Sequence, residues 1–217
     1  LQSEPYDAVD GIGATTWVLA EEVSGPFTAA SVLPLDAIDS LRSQTDGDVQ
    51  PIVVSRGGLQ SPVGTNAVRE VQMVGHLIGA LGQPTITDGN PIQGQGELVA
   101  DSSLDISVGT VVQIGTERFT VVGLTSDSTV LAGQGLVFTD LATAQRIMFQ
   151  NESVVTGFVS DQPLDAIDGF AILDPDDIAV ATLGPIESAV SSIDLIRILL
   201  WFVAAIVMGA VISLTAL

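Results

Sequence analysis

The most constraining feature of the sequence is its final segment, residues 198–217, which contains no ionisable side chain. About twenty residues of α-helix, at about 1.5 Å each, extend about 30 Å, which is close to the hydrocarbon thickness of a bilayer. A helix in a globular core rarely stays apolar around its whole circumference over that length. The segment therefore predicts a transmembrane helix that the end of the chain truncates, and we expect a fragment of a longer membrane protein.

The residues before this segment are strongly acidic. The sequence carries 26 acidic side chains against 6 basic ones, and its formal net charge at pH 7 is −20. Such a charge keeps a domain soluble and repels phosphate groups, so we expect no nucleic acid partner. The sequence also has no Cys, which excludes disulfides, thiolate metal sites and Cys nucleophiles.

Strand and helix signals alternate at the start of the chain. Residues 16–22 predict a strand, because apolar and β-branched side chains precede a cluster of turn formers. A helix is predicted from Pro34, which suits a first helical turn, to Gly47, which ends it. Residues 49–56 predict a second strand with an apolar centre. The opening of the chain is therefore a strand, helix, strand unit.

The middle of the chain predicts mainly β structure. A strand is expected at residues 68–77 and a short one within "GELVADSSLD", and the clearest hairpin joins Val111–Ile114 to Phe119–Val122. The stretch "LVFTDLATAQRIMF" then predicts a strand that runs into a helix capped by Thr139 or Asp140. The expected buried stripe of that helix is Leu141, Ala144, Ile147 and Met148. Short strands in "VVTGFVS" and "GFAIL" are expected to close the domain.

The last predicted element is one long helix. Gly184 and Pro185 break the chain, and nothing after Pro185 interrupts a helical pattern up to Leu217. Its first turns, residues 185–197, are amphipathic and are expected to form a stalk that packs on the domain. Its remainder, residues 198–217, is the transmembrane part.

No catalytic, cofactor-binding or metal site is predicted. The single histidine, His76, lies in the apolar run "MVGHLIG" and is interpreted as a satisfied structural residue. The acidic groups Asp46–Asp48 and Asp174–Asp177 lack the ligand spacing of a calcium loop and are interpreted as solvated turns. Motifs of hydrolases, P-loop ATPases and zinc enzymes are missing from the sequence.

Small residues recur every four positions in the apolar segment, at Ala205, Gly209 and Ser213. Such a stripe lets a second helix approach closely and predicts a helix-packing face. The alternative, which the sequence leaves open, is that small residues are simply common in membrane helices.

The order of these parts resembles the extracytoplasmic domain and second transmembrane helix of an FtsX-like (MacB-type) ABC transporter permease. The most specific stretch runs from Gly96 to Gln145, where that family has an acidic and apolar strand, a hairpin and a strand-to-helix junction. The positions that match the family pattern are Gly109, Phe119, Val121, Val122, Gly123, Phe138, Ala144 and Gln145.

The resemblance implies an α+β fold with two lobes, in which residues 57–125 form a mainly β lobe inserted into a mixed α/β lobe. The extracytoplasmic domain would cover residues 1–184, before the stalk and the membrane helix. The resemblance also implies a multi-pass permease in the cell membrane that works as a dimer in contact with lipid. A partner ABC ATP-binding subunit would bind ATP, so the chain itself would be no enzyme and hold no cofactor.

Two classes of function stay open at this point. The first is a transport permease that couples ATP hydrolysis by its partner to export or extraction of a substrate, which the sequence does not identify. The second is a single-pass anchored module outside the cell, acting as a sensor, a binding module or a regulator of cell-wall hydrolases. Three further transmembrane helices in the full-length protein would favour the first class.

Overall fold

The structure of the protein is a computed structural model that describes residues 4–61, 63–64, 67–130, 133–183 and Leu200. Contacts unite residues up to Thr182 in one compact unit, and a second unit begins at Leu183. The helices are α1 (Glu4–Asp10), α2 (Ala37–Arg42), α3 (Leu141–Phe149) and α4, the helical residues 175–183, with a 3₁₀ turn at Ser102–Leu104. The strands are β1 (Thr16–Ala20), β2 (Leu33–Pro34), β3 (Val49–Gln60), β4 (Val68–His76), β5 (Asp88–Gly89), β6 (Glu97–Asp101), β7 (Val111–Ile114), β8 (Glu117–Thr125), β9 (Thr129–Val130), β10 (Gln134–Asp140), β11 (Val154–Val155), β12 (Gly157–Ser160) and β13 (Phe170–Leu173).

Strand β3, which is 12 residues long, belongs to two parts of one 11-stranded sheet. Its first half pairs with β12, which continues through β1 to β13, all antiparallel. We call these strands the open sheet. Its second half pairs with β4, and the pairing continues through β10, β6, β8 and β7 back to β3. We call this second set the closed ring.

The two faces of the sheet carry two separate hydrophobic cores, because side chains alternate between the faces along each strand. The first core fills the closed ring with residues such as Met73, Leu98 and Phe119, and continues under α2 and α3 through Leu41 and Ala144. The second core lies on the opposite face. Its members include Ala8 and Val9 of α1, Trp17 of β1, Phe138 of β10 and Ile178 of α4.

The structure confirms the predicted strands. One connection between strands is shorter than the sequence predicts. The hairpin between β7 and β8 is turned by Gly115 and Thr116 alone, because Glu117 already pairs with Ile114. The prediction that a helix begins at Pro34 is wrong. Pro34 pairs with Val154 in a two-stranded sheet, where burial of Leu33 holds the chain extended, and α2 begins only at Ala37.

Helix α3 was predicted well at its start and less well along its length. Asp140 is its cap, and the Asp140 carboxylate accepts a hydrogen bond from the Thr143 N–H at 3.0 Å. Leu141 and Ala144 are buried as expected. The prediction of a buried Met148 is wrong, because this side chain is 43% exposed near the end of the helix. Helix α1 was not predicted.

The segment 57–125 supplies β4, β6, β7 and β8 of the closed ring, and β10 comes from beyond it. The division of residues 1–184 into two lobes stays a prediction. The stalk at 185–197 and, apart from Leu200, the apolar segment at 198–217 lie outside the described residues. In the part of the chain that the structure describes, no helix has the length and apolarity needed to cross a membrane.

Candidate functional site

The most informative local structure is the start of helix α4, which leads toward the predicted stalk. The Asp177 N–H donates to Asp174 Oδ1 at 2.8 Å, and the Ile178 N–H donates to the Asp174 carbonyl oxygen at 3.2 Å. Pro175 follows the capping residue, where its missing N–H and its fixed φ favour a first helical turn. The interpretation of Asp174–Asp177 as a solvated turn is therefore wrong, since this acidic group begins a helix.

Helix α4 is held along one side by the second core. Ile178, Ala179 and Thr182 are fully buried, and the Thr182 hydroxyl donates to the Ile178 carbonyl oxygen at 2.7 Å. The opposite side is open, with Val180 57% exposed. The helix packs closely against the loop after β1, because a Cβ at Gly25 would lie 3.1 Å from the Ala181 Cβ.

Helix α1, at the other end of the described chain, packs into the same core. Ala8 and Val9 are fully buried, and they belong to the same contact cluster as Trp17 and Ile178. Trp17 lies edge-on to Phe27, with 6.2 Å between the ring centroids. One core therefore holds both the segment that enters the domain and the helix that leaves it.

A buried polar pair lies where the parallel strands β4 and β10 end side by side. His76 is fully buried, and its Nδ1 lies 2.9 Å from the Leu77 carbonyl oxygen, so Nδ1 carries the proton. His76 Nε2 and Asp140 Oδ2 are both buried and have no hydrogen-bond partner among the described residues. Burial lowers the pKa of His76. The hydrogen bond to the Leu77 carbonyl and the charge of Asp140 raise this pKa, but their effect is smaller. The prediction of a satisfied histidine is therefore wrong, because Nε2 lacks a partner among the described residues.

An open groove of about 210 Å³ lies where the loop after β1 faces β3 and the end of α3. The lining residues are Pro26, Phe27, Thr28, Ala29, Ala30, Val54, Ser55, Arg56, Gln72 and Met148. The Gln72 side-chain amide donates to the Phe27 carbonyl oxygen at 3.3 Å, which ties this loop to β4. Sequence reasoning missed the groove, because its walls come from segments that are distant in the chain.

The other predicted features bring no reactive groups together. Asp46–Asp48 form a turn in which the Asp48 N–H donates to Asp161 Oδ1 at 2.8 Å. Among the described residues, no cluster of three or more His, Asp or Glu side chains has a metal-binding arrangement. The predicted helix-packing residues Ala205, Gly209 and Ser213 lie outside the described residues.

Comparison with known proteins identifies relatives of the whole chain. No protein-family model matches it. The chain is 27% identical over 220 residues to an uncharacterized ABC transporter permease of Mycobacterium tuberculosis, and the match covers 99% of this chain. A second uncharacterized ABC transporter permease of that organism is 25% identical over 216 residues, with 99% of this chain covered. The chain spans 61% of the length of both relatives.

The fold has a match among solved structures. The crystal structure of the periplasmic region of MacB from Actinobacillus actinomycetemcomitans superimposes with a TM-score of 0.53 at 15% identity, covering 81% of this chain and 96% of that chain. The protein therefore has a mixed α/β fold that resembles the MacB periplasmic domain. The predicted resemblance to FtsX-like (MacB-type) ABC transporter permeases is confirmed.

Proposed function

Because the chain resembles ABC transporter permeases and has the fold of the MacB periplasmic region, we propose that it is the extracytoplasmic part of a permease subunit. In this proposal the domain converts ATP hydrolysis by a cytoplasmic partner into movement outside the membrane. The chain performs no covalent chemistry and holds no cofactor of its own, since ATP is bound by the partner subunit.

The observation that carries the proposal is the shared packing of α1 and α4. Both helices contribute to the second core, and α4 is capped at its start and buried along one side. A close-packed core transmits displacement because it has few voids to absorb it. A shift of the membrane helix predicted after α4 would therefore move the domain as one body.

The proposal includes two copies of the permease in the membrane. Ala205, Gly209 and Ser213 are proposed as a face along which the predicted membrane helix packs against a neighbouring helix. Replacing Gly209 with Leu places a bulky side chain on that face and is expected to weaken association in a membrane cross-linking assay. Unchanged cross-linking would contradict the proposed helix-packing face. It would not contradict the permease role, which is tested separately.

The permease role is tested with the full-length protein in its native membrane. A protease added to intact cells or spheroplasts is expected to cleave the domain, and purification is expected to yield an ATP-binding subunit with a Walker motif. A domain that stays protected while an outer-face control protein is cleaved would contradict the extracytoplasmic location. Purification without any ATP-binding subunit would favour an anchored sensor or binding module.

A further inference from the structure

Strand β3 lacks a neighbour over part of one edge. β12 pairs with β3 only up to Ile52, and the Thr156 hydroxyl then bonds both the N–H and the carbonyl oxygen of Val54, at 3.0 and 3.1 Å. Farther along, β7 pairs with Leu59 and Gln60. Between these contacts, the residues Ser55–Gly58 pair only with β4 among the described strands. We call this interval the β3 gap.

The backbone groups of the β3 gap alternate in direction. In an antiparallel pair, every second residue directs both its N–H and its carbonyl oxygen away from the partner strand. Val54 directs these groups toward Thr156, so Arg56 and Gly58 direct theirs the same way. No backbone hydrogen bond joins Arg56 or Gly58 to a described residue outside the sheet ladders. An open edge of this kind is a template for a further strand.

The open groove borders the start of the β3 gap, where Ser55 and Arg56 line it, and its charge favours an anionic ligand. Arg56 is the one cation among the lining residues, and none of these residues is acidic. Its side chain is exposed and has no ion pair or hydrogen bond with a described residue. By contrast, Arg146 pairs with Glu117 at 3.3 Å, and Arg69 donates to the Leu104 carbonyl oxygen at 2.6 Å. Arg118 is also exposed and without such a partner among the described residues, but it lies outside the groove. Within the groove, the Arg56 guanidinium presents a fork that matches a carboxylate.

The size and the walls of the groove favour a segment of polypeptide. At about 210 Å³ the groove is smaller than the 300–1,000 Å³ typical of sites that enclose a drug-sized molecule. Its walls combine the rings and chains of Phe27, Val54 and Met148 with the polar groups of Ser55 and Gln72. An extended peptide presents every second side chain to one surface and its backbone N–H and carbonyl groups along its edge. The walls of the groove can contact such side chains, and the edge of β3 can pair with such backbone groups.

We propose that the groove binds an extended acidic peptide segment of another protein by strand addition at the β3 gap. The peptide backbone pairs with Arg56 and Gly58, a peptide carboxylate binds the Arg56 guanidinium, and an apolar side chain packs against the exposed Met148. This binding site goes beyond the permease role and does not require transport.

The test uses the full-length protein in nanodiscs and the labelled peptide acetyl-Thr-Val-Glu-Val-Thr-amide. We expect saturable binding that Arg56→Gln weakens about tenfold, the effect of losing one charge-assisted hydrogen bond. Arg56→Lys keeps part of the binding. Arg118→Gln, which removes an exposed Arg of β8 outside the groove, is the matched control and leaves the affinity unchanged.

Backbone pairing is tested with two peptides that are N-methylated on complementary, alternate residues. Strand addition predicts that one of them loses binding and the other keeps it, because only every second N–H faces β3. Binding of the parent peptide is also expected to slow amide hydrogen exchange at Arg56 and Gly58.

Three results would overturn the proposal. The first is no saturable binding of the parent peptide at millimolar concentration. The second is equal affinity for the wild-type protein and Arg56→Gln. The third is equal binding of both N-methylated peptides together with competition by octanoate, which would assign the groove to small anionic amphiphiles. Each result leaves the permease role standing, because that role is tested by protease cleavage and by the ATP-binding subunit.

Discussion

The closed ring and the open sheet share β3, but they differ in how their strand edges are protected. In the closed ring each strand pairs with described strands on both sides over part of its length, and the interior is filled by buried residues such as Phe119 and Leu98. The open sheet ends at β13, whose four residues are all half-buried and which pairs only with β1 among the described strands. The ring therefore leaves only parts of its strands without a described neighbour, whereas the open sheet ends on the edge of a whole strand.

This difference matters for the proposed function, because α1 and α4 pack in the second core, which both parts of the sheet share. The open sheet contributes Trp17 and Leu19 to this core, and the ring contributes Phe138. We infer that the ring moves as a rigid body and that the second core transmits movement to it from the membrane segments.

The largest effects are expected from truncating the biggest side chain of each core. Phe119→Ala in the ring and Trp17→Ala in the second core should each lower the free energy of unfolding by about 3–5 kcal/mol. Only Trp17→Ala should also speed amide hydrogen exchange in α4, because Trp17 and Ile178 share a core. Denaturant unfolding and native-state exchange measure the two effects.

Trp17→Phe is the control for that comparison. Trp17 Nε1 is buried without a hydrogen-bond partner among the described residues, so Phe removes an unpaired donor and keeps an aromatic ring. It should cost less than Trp17→Ala and leave exchange in α4 unchanged. If Phe119→Ala sped amide hydrogen exchange in α4 as much as Trp17→Ala did, the two cores would act as one mechanical unit. That result would contradict the separate roles of the ring and the second core.

A smaller effect is expected from pH at His76. Burial lowers the pKa of His76 in the folded state below its ordinary value of 6.5, so the unfolded chain takes up the proton first. The stabilisation is complete above about pH 6.5 and is lost as the pH falls from there toward the folded-state pKa. The slope contributed by one such group reaches at most about 1.4 kcal/mol per pH unit.

His76→Gln should remove this slope in urea unfolding followed between about pH 7 and pH 5. The wild-type protein should lose more stability than the variant over that range. Equal pH dependence of the two proteins would mean that His76 is protonated as readily in the folded state as in the unfolded chain.

The smallest effect is expected at the cap of α4. Asp174→Ala removes the acceptor of the Asp177 N–H and should cost about 1 kcal/mol, seen as faster exchange in the first turn of α4. Asp174→Asn keeps an acceptor and should restore most of the protection. Asp176→Ala, at an exposed position of the same turn, is the charge control. Equal exchange in all three variants would show that packing alone holds the helix.

Features that depend on local pattern could be predicted from the sequence. The β7–β8 hairpin follows from alternating apolar residues around Gly115, and the Asp140 cap follows from a polar residue before an apolar stripe. Helix α1 was missed because only Pro5, Ala8 and Val9 are buried in it, too few for a clear period. Asp174 and Pro175 carry an ordinary helix-start signal, which was attributed to a solvated turn.

Features that depend on distant pairing could not be predicted. The ring closes where Leu59 pairs with Ile114, and no short-range sequence pattern predicts this pairing. The β3 gap exists because β12 and β7 each cover a different part of β3, and the groove beside it needs Phe27 from another segment. Likewise, the unpaired Nε2 of His76 follows from the fold around it, since its neighbours in sequence are apolar.

The central claim is that movement in the membrane reaches the domain through α4 and the predicted stalk. The direct measurement is the distance between spin labels at Val68→Cys in the two copies of the full-length permease, with and without ATP, in complex with its ATP-binding subunit. Val68 is 56% exposed at the start of β4, and the chain itself contains no competing Cys. The wild-type protein should show a distance change on ATP binding. Ser191→Gly with Ser192→Pro, a helix break that costs about 3 kcal/mol or more, should abolish the change while ATP hydrolysis continues. An unchanged ATP-dependent distance shift in the kinked variant would contradict the claim and make the stalk a tether.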